Sequence, residues 1–259
     1  MQTSNAPPVT TLTPILAFDV YGTLLDISSM SSALQEHLSI SADQADQITT
    51  SWRMHQLQLK LYEPFDEITR RSLRNATLDH GIDLTSAQSA SLYDAFPDAL
   101  PTLKKLSERP NLQTMIFSNG PLFLLLLLLL LLLPNIYLLL PNLQAQMITT
   151  ALSKASLTPY TTSLPYFLSS SLQTEPKKYK PSRELYVALL DALDRRHVPH
   201  TVWLISANPF DVTGARVAGM NALWVDRTGK GWTDRLVDPI AFGPSKVVRS
   251  LEDVSVDFY

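Results

Sequence analysis

The chain has 259 residues, no cysteine, a net charge of −3, and 45% hydrophobic against 17% charged residues. That length suits one large domain or a core with a smaller inserted one, and that much apolar material excludes wholesale disorder. Without a basic surplus a nucleic-acid backbone is excluded as the expected partner, and without cysteine so are disulfides and thiol catalysis. A cysteine-free chain fits a reducing cytosol, so a cytoplasmic location is expected.

Residues 1–13 are rich in Thr and Pro, lack an apolar signal core, and are read as a disordered lead-in. The apolar run over 14–20, followed by Tyr21-Gly22-Thr23, predicts a buried strand ending in a tight turn. Residues 28–96 are polar and helix-rich. Ser41-Ala42-Asp43-Gln44 marks a helix start, and the apolar residues over 52–59 recur at helical spacing. Pro97 and Pro101 mark the return to another pattern. Residues 112–117 predict a second strand closed by Ser118-Asn119-Gly120, and 166–170 a third. Pro181 precedes a helix over 182–193. A buried strand over 202–205, a helix over 211–218 and a strand over 222–225 follow. Strands alternating with helices imply an α/β fold with a parallel, doubly wound sheet. Ligands in such sheets sit beyond the carboxyl ends of the strands, where Asp19, Ser118 and Ser206 all fall.

One segment breaks the pattern. Residues 124–133 are all leucine, and 121–143 are almost wholly apolar, a length that could span a bilayer. Pro134, Asn135, Pro141 and Asn142 interrupt it and no Lys or Arg anchors flank it, so a membrane span is not expected. The stretch reads instead as an insertion, best explained as a translated intron or gene-model error.

Phe18-Asp19-Val20-Tyr21-Gly22-Thr23-Leu24-Leu25-Asp26 resembles the first motif of the haloacid dehalogenase superfamily. Phe117-Ser118-Asn119-Gly120 resembles the second, Lys180-Pro181 the third and Ser206-Ala207-Asn208-Pro209-Phe210-Asp211 the fourth, in the right order. The chemistry agrees with the pattern. A carboxylate can attack carbon or phosphorus and form an ester, splitting one hard step into two. A neighbouring lysine favours the ionised carboxylate, and hydroxyls and amides at nearby strand ends can orient substrate and water. The resemblance implies a Rossmann-like core, residues 14–27 and 97–259, with a helical cap over 28–96 and the active site between them.

Two details favour a dehalogenase over a phosphatase. Phosphatases of the superfamily usually carry a second aspartate two residues after the nucleophile, where this chain has Tyr21, a poor acid. They also bind magnesium through an acidic pair in the fourth motif, where this chain has neutral Ser206 and Asn208 and the single acid Asp211. Trp52-Arg53-Met54-His55-Gln56-Leu57 is similar to a cap-helix segment of the L-specific 2-haloacid dehalogenases. That resemblance implies Asp19 as nucleophile and Arg53 as acceptor of the departing halide. Asn119 and Phe210 would help cradle the halide, with Tyr186 near the site. Thr23, Ser206, Asn208 and Asp211 would position Asp19, Lys180 and the hydrolytic water. Ser118 and the backbone around Val20 and Tyr21 would hold the substrate carboxylate. The implied partners are a small 2-haloacid and water, with no metal or other cofactor; a homodimer is compatible with the sequence. His197 and His200 flank Pro199 without a ligand cluster, so zinc is not expected, and Gly229 and Gly231 read as a turn. A magnesium-dependent phosphatase of the same superfamily and a non-catalytic or membrane-tethered protein remain open.

Overall fold

The four residues of β1, Ile15–Phe18, are all buried. A strand apolar on both faces needs cover on both, which places it inside a sheet rather than at its edge. In the computed structural model, which describes residues 12–58, 65–83, 94–119, 166–168, 178–232, 234–235 and 237–254, β1 is central. It pairs in parallel with β4 (Gln113–Ser118) and β6 (Val202–Ser206), so that Phe18 lies beside Ile116 on one side and Ile205 on the other. With β5 (Tyr166–Leu168), β7 (Asn221–Val225) and β8 (Lys246–Val248) the order is β5-β4-β1-β6-β7-β8, parallel throughout. The α/β fold expected from the sequence is the fold observed.

Alternation along β1 divides the core. Ile15 and Ala17 join a cluster with Leu185 and Leu189 of α5 (Arg183–Ala192) and Val212 and Ala215 of α6 (Pro209–Val217). Leu16 and Phe18 join the opposite cluster, with Leu103 and Leu106 of α4 (Ala99–Ser107) and Leu251. Period-2 alternation is the geometric reason that two neighbouring residues serve opposite layers.

The second cluster continues into three helices that lie between β2 (Leu25–Asp26) and β3 (Asp94–Ala95) in the chain. These are α1 (Ser29–Leu38), α2 (Ala42–Gln58) and α3 (Phe65–Leu78). The expected start of α2 is formed by Ser41, whose Oγ accepts the Gln44 amide at 3.2 Å. Ala45, Ile48 and Trp52 form the buried stripe of α2, and Ile68, Ser72, Leu73 and Ala76 that of α3. Trp52 Nε1 donates to the Thr69 carbonyl at 2.9 Å, so the largest side chain between the helices also satisfies its polar atom.

Other expectations are met with shifted ends. α6 starts earlier than expected because Pro209 occupies its first turn, where a missing N–H costs nothing. The antiparallel pair β2–β3 and the edge strand β8 were not expected; at two or three residues each they are too short to show periodicity. Among the described residues no helix is long and apolar enough to cross a membrane. The leucine run, the insertion reading of 121–143 and most of the 1–13 lead-in lie outside the described residues.

The contact between α5 and α6 is tight enough to test. A Cβ on Gly214 would stand 2.5 Å from Tyr186 Cε2 and 2.6 Å from its hydroxyl, closer than real Cβ contacts come. Gly214→Ala is therefore expected to destabilise the chain by about 1–3 kcal/mol, as overpacking does, measured as a lower urea midpoint at unchanged slope.

Candidate active site

β1 stops because the chain turns on itself directly after it. The Asp19 amide still donates to the Ile205 carbonyl at 3.0 Å, extending the ladder by one residue. The Val20 carbonyl then accepts the amides of Thr23, Leu24 and Leu25, and Gly22 takes φ +84°, a left-handed value that suits glycine. Asp19 is thereby held at the carboxyl end of the central strand, buried to 7% exposure.

Its two oxygens are treated differently. Oδ2 accepts the Thr23 hydroxyl at 2.9 Å, the Ser206 hydroxyl at 3.2 Å and the Asn208 amide at 2.7 Å. Oδ1 accepts Lys180 Nζ at 3.2 Å. Three donors fill the lone pairs of Oδ2 and fix the plane of the carboxylate, while Oδ1 keeps capacity for a further bond. Asn208 stands at the N-cap of α6 but makes no capping bond; its amide goes to Asp19 and, at 2.9 Å, to the Tyr21 carbonyl. Thr23 and Ser206 are each tied in turn, since the Ala207 amide donates to Thr23 Oγ1 and the Asn208 amide N–H to Ser206 Oγ.

Lys180 is a buried cation with every proton placed. Nζ donates to Asp19 Oδ1, to the Phe117 carbonyl at 2.7 Å and to Asp211 Oδ2 at 2.8 Å, and lies 4.2 Å from the Phe117 ring centroid. Burial alone lowers an ammonium pKa; the Asp19 and Asp211 charges outweigh it here and hold Lys180 above its ordinary value. For Asp211 the balance differs. Burial raises its pKa, the Lys180 charge opposes this, and the nearby Asp19 charge adds to it, so the carboxyl is pushed up to about 6. The two results are compatible: the lysine meets two carboxylates, whereas Asp211 meets one cation and one like charge. Tyr186 donates to Asp211 Oδ1 at 2.5 Å, and burial together with that charge drives its pKa well above the ordinary phenol value, keeping it a donor.

A cavity of about 400 Å³ opens on this group. Asp19, Lys180, Ser118, Asn119, Tyr21 and Asn208 line its core side, and Phe210, Tyr179 and Pro181 continue that wall. Arg53 and Gln56 of α2 and Ile68 of α3 line it from the other side. Ser118 is 1% exposed and its Oγ has no partner among the described residues, so a donor waits at the cavity wall. Arg53 Nη1 donates to Gln56 Oε1 at 3.1 Å, and Gln56 Nε2 donates to Thr69 Oγ1 at 3.1 Å, which fixes the guanidinium through α3. The Asn119 side-chain oxygen accepts the Lys180 amide at 2.9 Å, joining the second and third motifs.

The structure thus brings Asp19, Tyr21, Arg53, Ser118, Asn119, Lys180, Asn208 and Phe210 to one cavity, with Thr23, Ser206 and Asp211 directly behind them. One expected substrate residue stands behind the cavity. Tyr186 is fully buried behind Asp211, with Phe117 at 5.4 Å edge-to-face, and does not line the cavity. Its position on the inner face of α5 aims it at the sheet. The Val20 side chain is in the core, and its carbonyl closes the turn. Gln56, Ile68, Tyr179 and Pro181 were given no role at the site from the sequence, although Gln56 and Pro181 lie in the quoted motifs. Gln56 lay within reach of the sequence, three residues after Arg53 on one helix; Ile68 becomes visible only when α3 packs on α2.

A buried carboxylate after the first strand, a buried lysine beside it and hydroxyl and amide donors at adjoining strand ends define a class of hydrolase built on an α/β fold. The model of the haloacid dehalogenase-like hydrolases matches residues 13–219, and the chain belongs to that family. It is 28% identical to an (S)-2-haloacid dehalogenase of Pseudomonas sp. strain YL over 83% of each chain. It is also 28% identical to (S)-2-haloacid dehalogenase 1 of Pseudomonas sp. strain CBS-3, over 82% of this chain and 84% of that one. Among solved structures it resembles the L-2-haloacid dehalogenase of Xanthobacter autotrophicus with chloropropionic acid covalently bound, at TM-score 0.68 and 22% identity over 94% and 96% of the chains. A HAD hydrolase of Bacillus subtilis bound to magnesium has the same fold at TM-score 0.62 and 16% identity over 94% and 97%, so likeness of fold does not by itself exclude a metal.

The raised Asp211 pKa predicts an acid limb. Below about pH 6 Asp211 takes up a proton and its grip on Lys180 weakens, so kcat/KM should fall there and level off above it. The limb is expected to vanish from the residual activity of Asp211→Asn; an unchanged limb would assign it to another group.

Proposed function

We propose that this hydrolase converts a short (S)-2-haloacid to the (R)-2-hydroxyacid and halide through an ester on Asp19. The observation that carries the reading is the asymmetry of Asp19: Oδ2 is held by three donors while Oδ1 meets only Lys180 at the cavity. The Ser118 hydroxyl, without a partner among the described residues, supports it as a donor for the substrate carboxylate. Oδ1 attacks C2 from the face opposite the halogen, and the carbon–halogen electron pair leaves with the halide. Water then adds to the Asp19 carbonyl carbon, the ester C–O bond breaks, and one water proton is released as the hydroxyacid departs. Configuration inverts because only the first step occurs at C2. The names of the relatives agree with this chemistry.

Each remaining residue has a place in that scheme. Lys180 neutralises Asp19 within the low-dielectric site, and Asp211, held by Tyr186, holds Lys180 in turn. Arg53 faces the developing halide, with Phe210 and Asn119 beside it. Residues 28–96 act as the cap and residues 14–27 with 97–259 as the core; the cavity between them excludes bulk water as it closes.

The residues present do not fit a magnesium ion. The Asn208 amide donates to Asp19 Oδ2 and to the Tyr21 carbonyl, so positively polarised hydrogens already meet oxygens that could otherwise serve a hard cation. Tyr21 is a poor acid for an alcohol leaving group. Both points favour loss of halide over hydrolysis of a phosphate ester.

Halide release from 2-halopropionates in the presence of a chelator tests the reading. Release should persist, and a single turnover in heavy-oxygen water should label the Asp19 carboxylate. Label confined to the product would indicate direct attack by water, and magnesium-dependent phosphate release would favour a phosphatase. Arg53→Gln should slow the halide burst by about 10²–10³-fold, the cost typical of losing one donor to developing charge. Its single described hydrogen bond, to Gln56, is not one on which the fold depends, so melting should change little. A normal burst would leave Arg53 as part of the α2 surface only.

A further inference from the structure

An ion pair away from the cavity touches the turn that carries Thr23. Arg227, just after β7, makes a two-pronged contact with Asp98: Nη1 to Oδ2 at 2.8 Å and Nη2 to Oδ1 at 3.1 Å. The same Nη2 donates to the Thr23 carbonyl at 2.8 Å, and the guanidinium lies 3.6 Å from the Phe96 ring centroid. Asp98 Oδ2 further accepts the Ser250 hydroxyl and the Leu251 amide, each at 2.8 Å. Phe96 is tied to the same turn, its amide donating to the Leu24 carbonyl at 3.0 Å. Asp98 is 8% exposed, and the Arg227 contacts with Leu251 and Ser250 beside them outweigh burial and lower its pKa.

We propose that Asp98 and Arg227 are positioning residues for the nucleophile, acting through the Thr23 backbone; this rests on Asp19 being the nucleophile. The Thr23 hydroxyl has one proton, which goes to Asp19 Oδ2, and it accepts the Ala207 amide. With donor and acceptor both assigned, the hydroxyl is placed wherever the Thr23 backbone is placed, and Arg227 grips that backbone at its carbonyl. The fork also joins residues 96–98, where the chain returns from the helical segment, to the carboxyl end of β7. Asp19 orientation and the root of that segment therefore share one anchor. Arginine suits the task because its planar fork reaches a carboxylate and a carbonyl together; a lysine is a point charge and serves one of them well.

Arg227→Lys and Asp98→Asn test the clamp, with Ser250→Ala as a control that removes one donor from Asp98 but leaves the fork. Two readouts are taken: the rate of ester formation by rapid quench, and hydrogen exchange of the Ala207 amide, which reports Thr23 Oγ1 whether or not any substrate reacts. We expect both fork variants to form ester about 10- to 100-fold more slowly with KM changed about threefold or less, as a misplaced reacting group does. Ala207 should exchange faster in both, and Ser250→Ala should match the parent in both readouts, whatever its melting temperature. Unchanged ester formation in the fork variants overturns the proposal, and so does slowed ester formation with unchanged Ala207 exchange. If the parent chain forms no ester, the reading of Asp19 fails, and Ala207 exchange alone then decides the clamp: faster exchange supports it and unchanged exchange overturns it.

Discussion

The burial of one ammonium group organises this protein. Lys180 Nζ, on a side chain 2% exposed, has lost its water and has received two carboxylates and a carbonyl in exchange. Desolvating a charge costs several kcal/mol, and the cost is offset only when partners stand at hydrogen-bond distance on every side. Those partners come from three places: Asp19 after β1, Phe117 near the end of β4, and Asp211 in the first turn of α6. The central strand, its neighbour and the helix following β6 must therefore meet at one point. A parallel sheet supplies that point, since its strand ends lie side by side.

The same constraint divides the labour at Asp19. Because Lys180 approaches Oδ1, the hydroxyls and the amide are left to fix Oδ2, and one carboxylate becomes a held oxygen and an available one. Asn208 has a further consequence. An amide in place of a carboxylate there donates to oxygens that a metal would otherwise need, and it leaves the α6 terminus without a side-chain cap. A local preference is given up for a contact made only in the folded chain, as is common where function competes with stability.

The helices opposite the sheet ends complete the cavity through a chain of side chains rather than a single contact. Thr69 receives Gln56 at its hydroxyl and Trp52 at its carbonyl, and Gln56 receives Arg53. The orientation of the arginine thus depends on how α2 packs on α3. On the core side, the Arg227–Asp98 pair performs a comparable service for Thr23. Both arrangements hold a reactive group through a neighbour whose rotamer is already fixed by packing.

The sequence by itself determined the α/β architecture and the residues at the strand ends. Asp19, Ser118 and Ser206 were legible because an apolar run followed by a polar turn shows where a strand stops, and a stop in a parallel sheet is where ligands meet it. Lys180 and Arg53 were legible only through resemblance to family motifs, since a lone lysine or arginine carries no periodic signal. The tertiary structure alone decided the rest. Tyr186, expected near the site, stands behind Asp211 because the inner face of α5 packs on Phe117 and Gly214. Ile68 reaches the cavity from another helix, and Asp98 and Arg227 meet across 129 positions of the chain. Periodicity encodes which face of an element is buried. It does not encode which distant element arrives there, because that is settled by packing and by the pairing of buried charges.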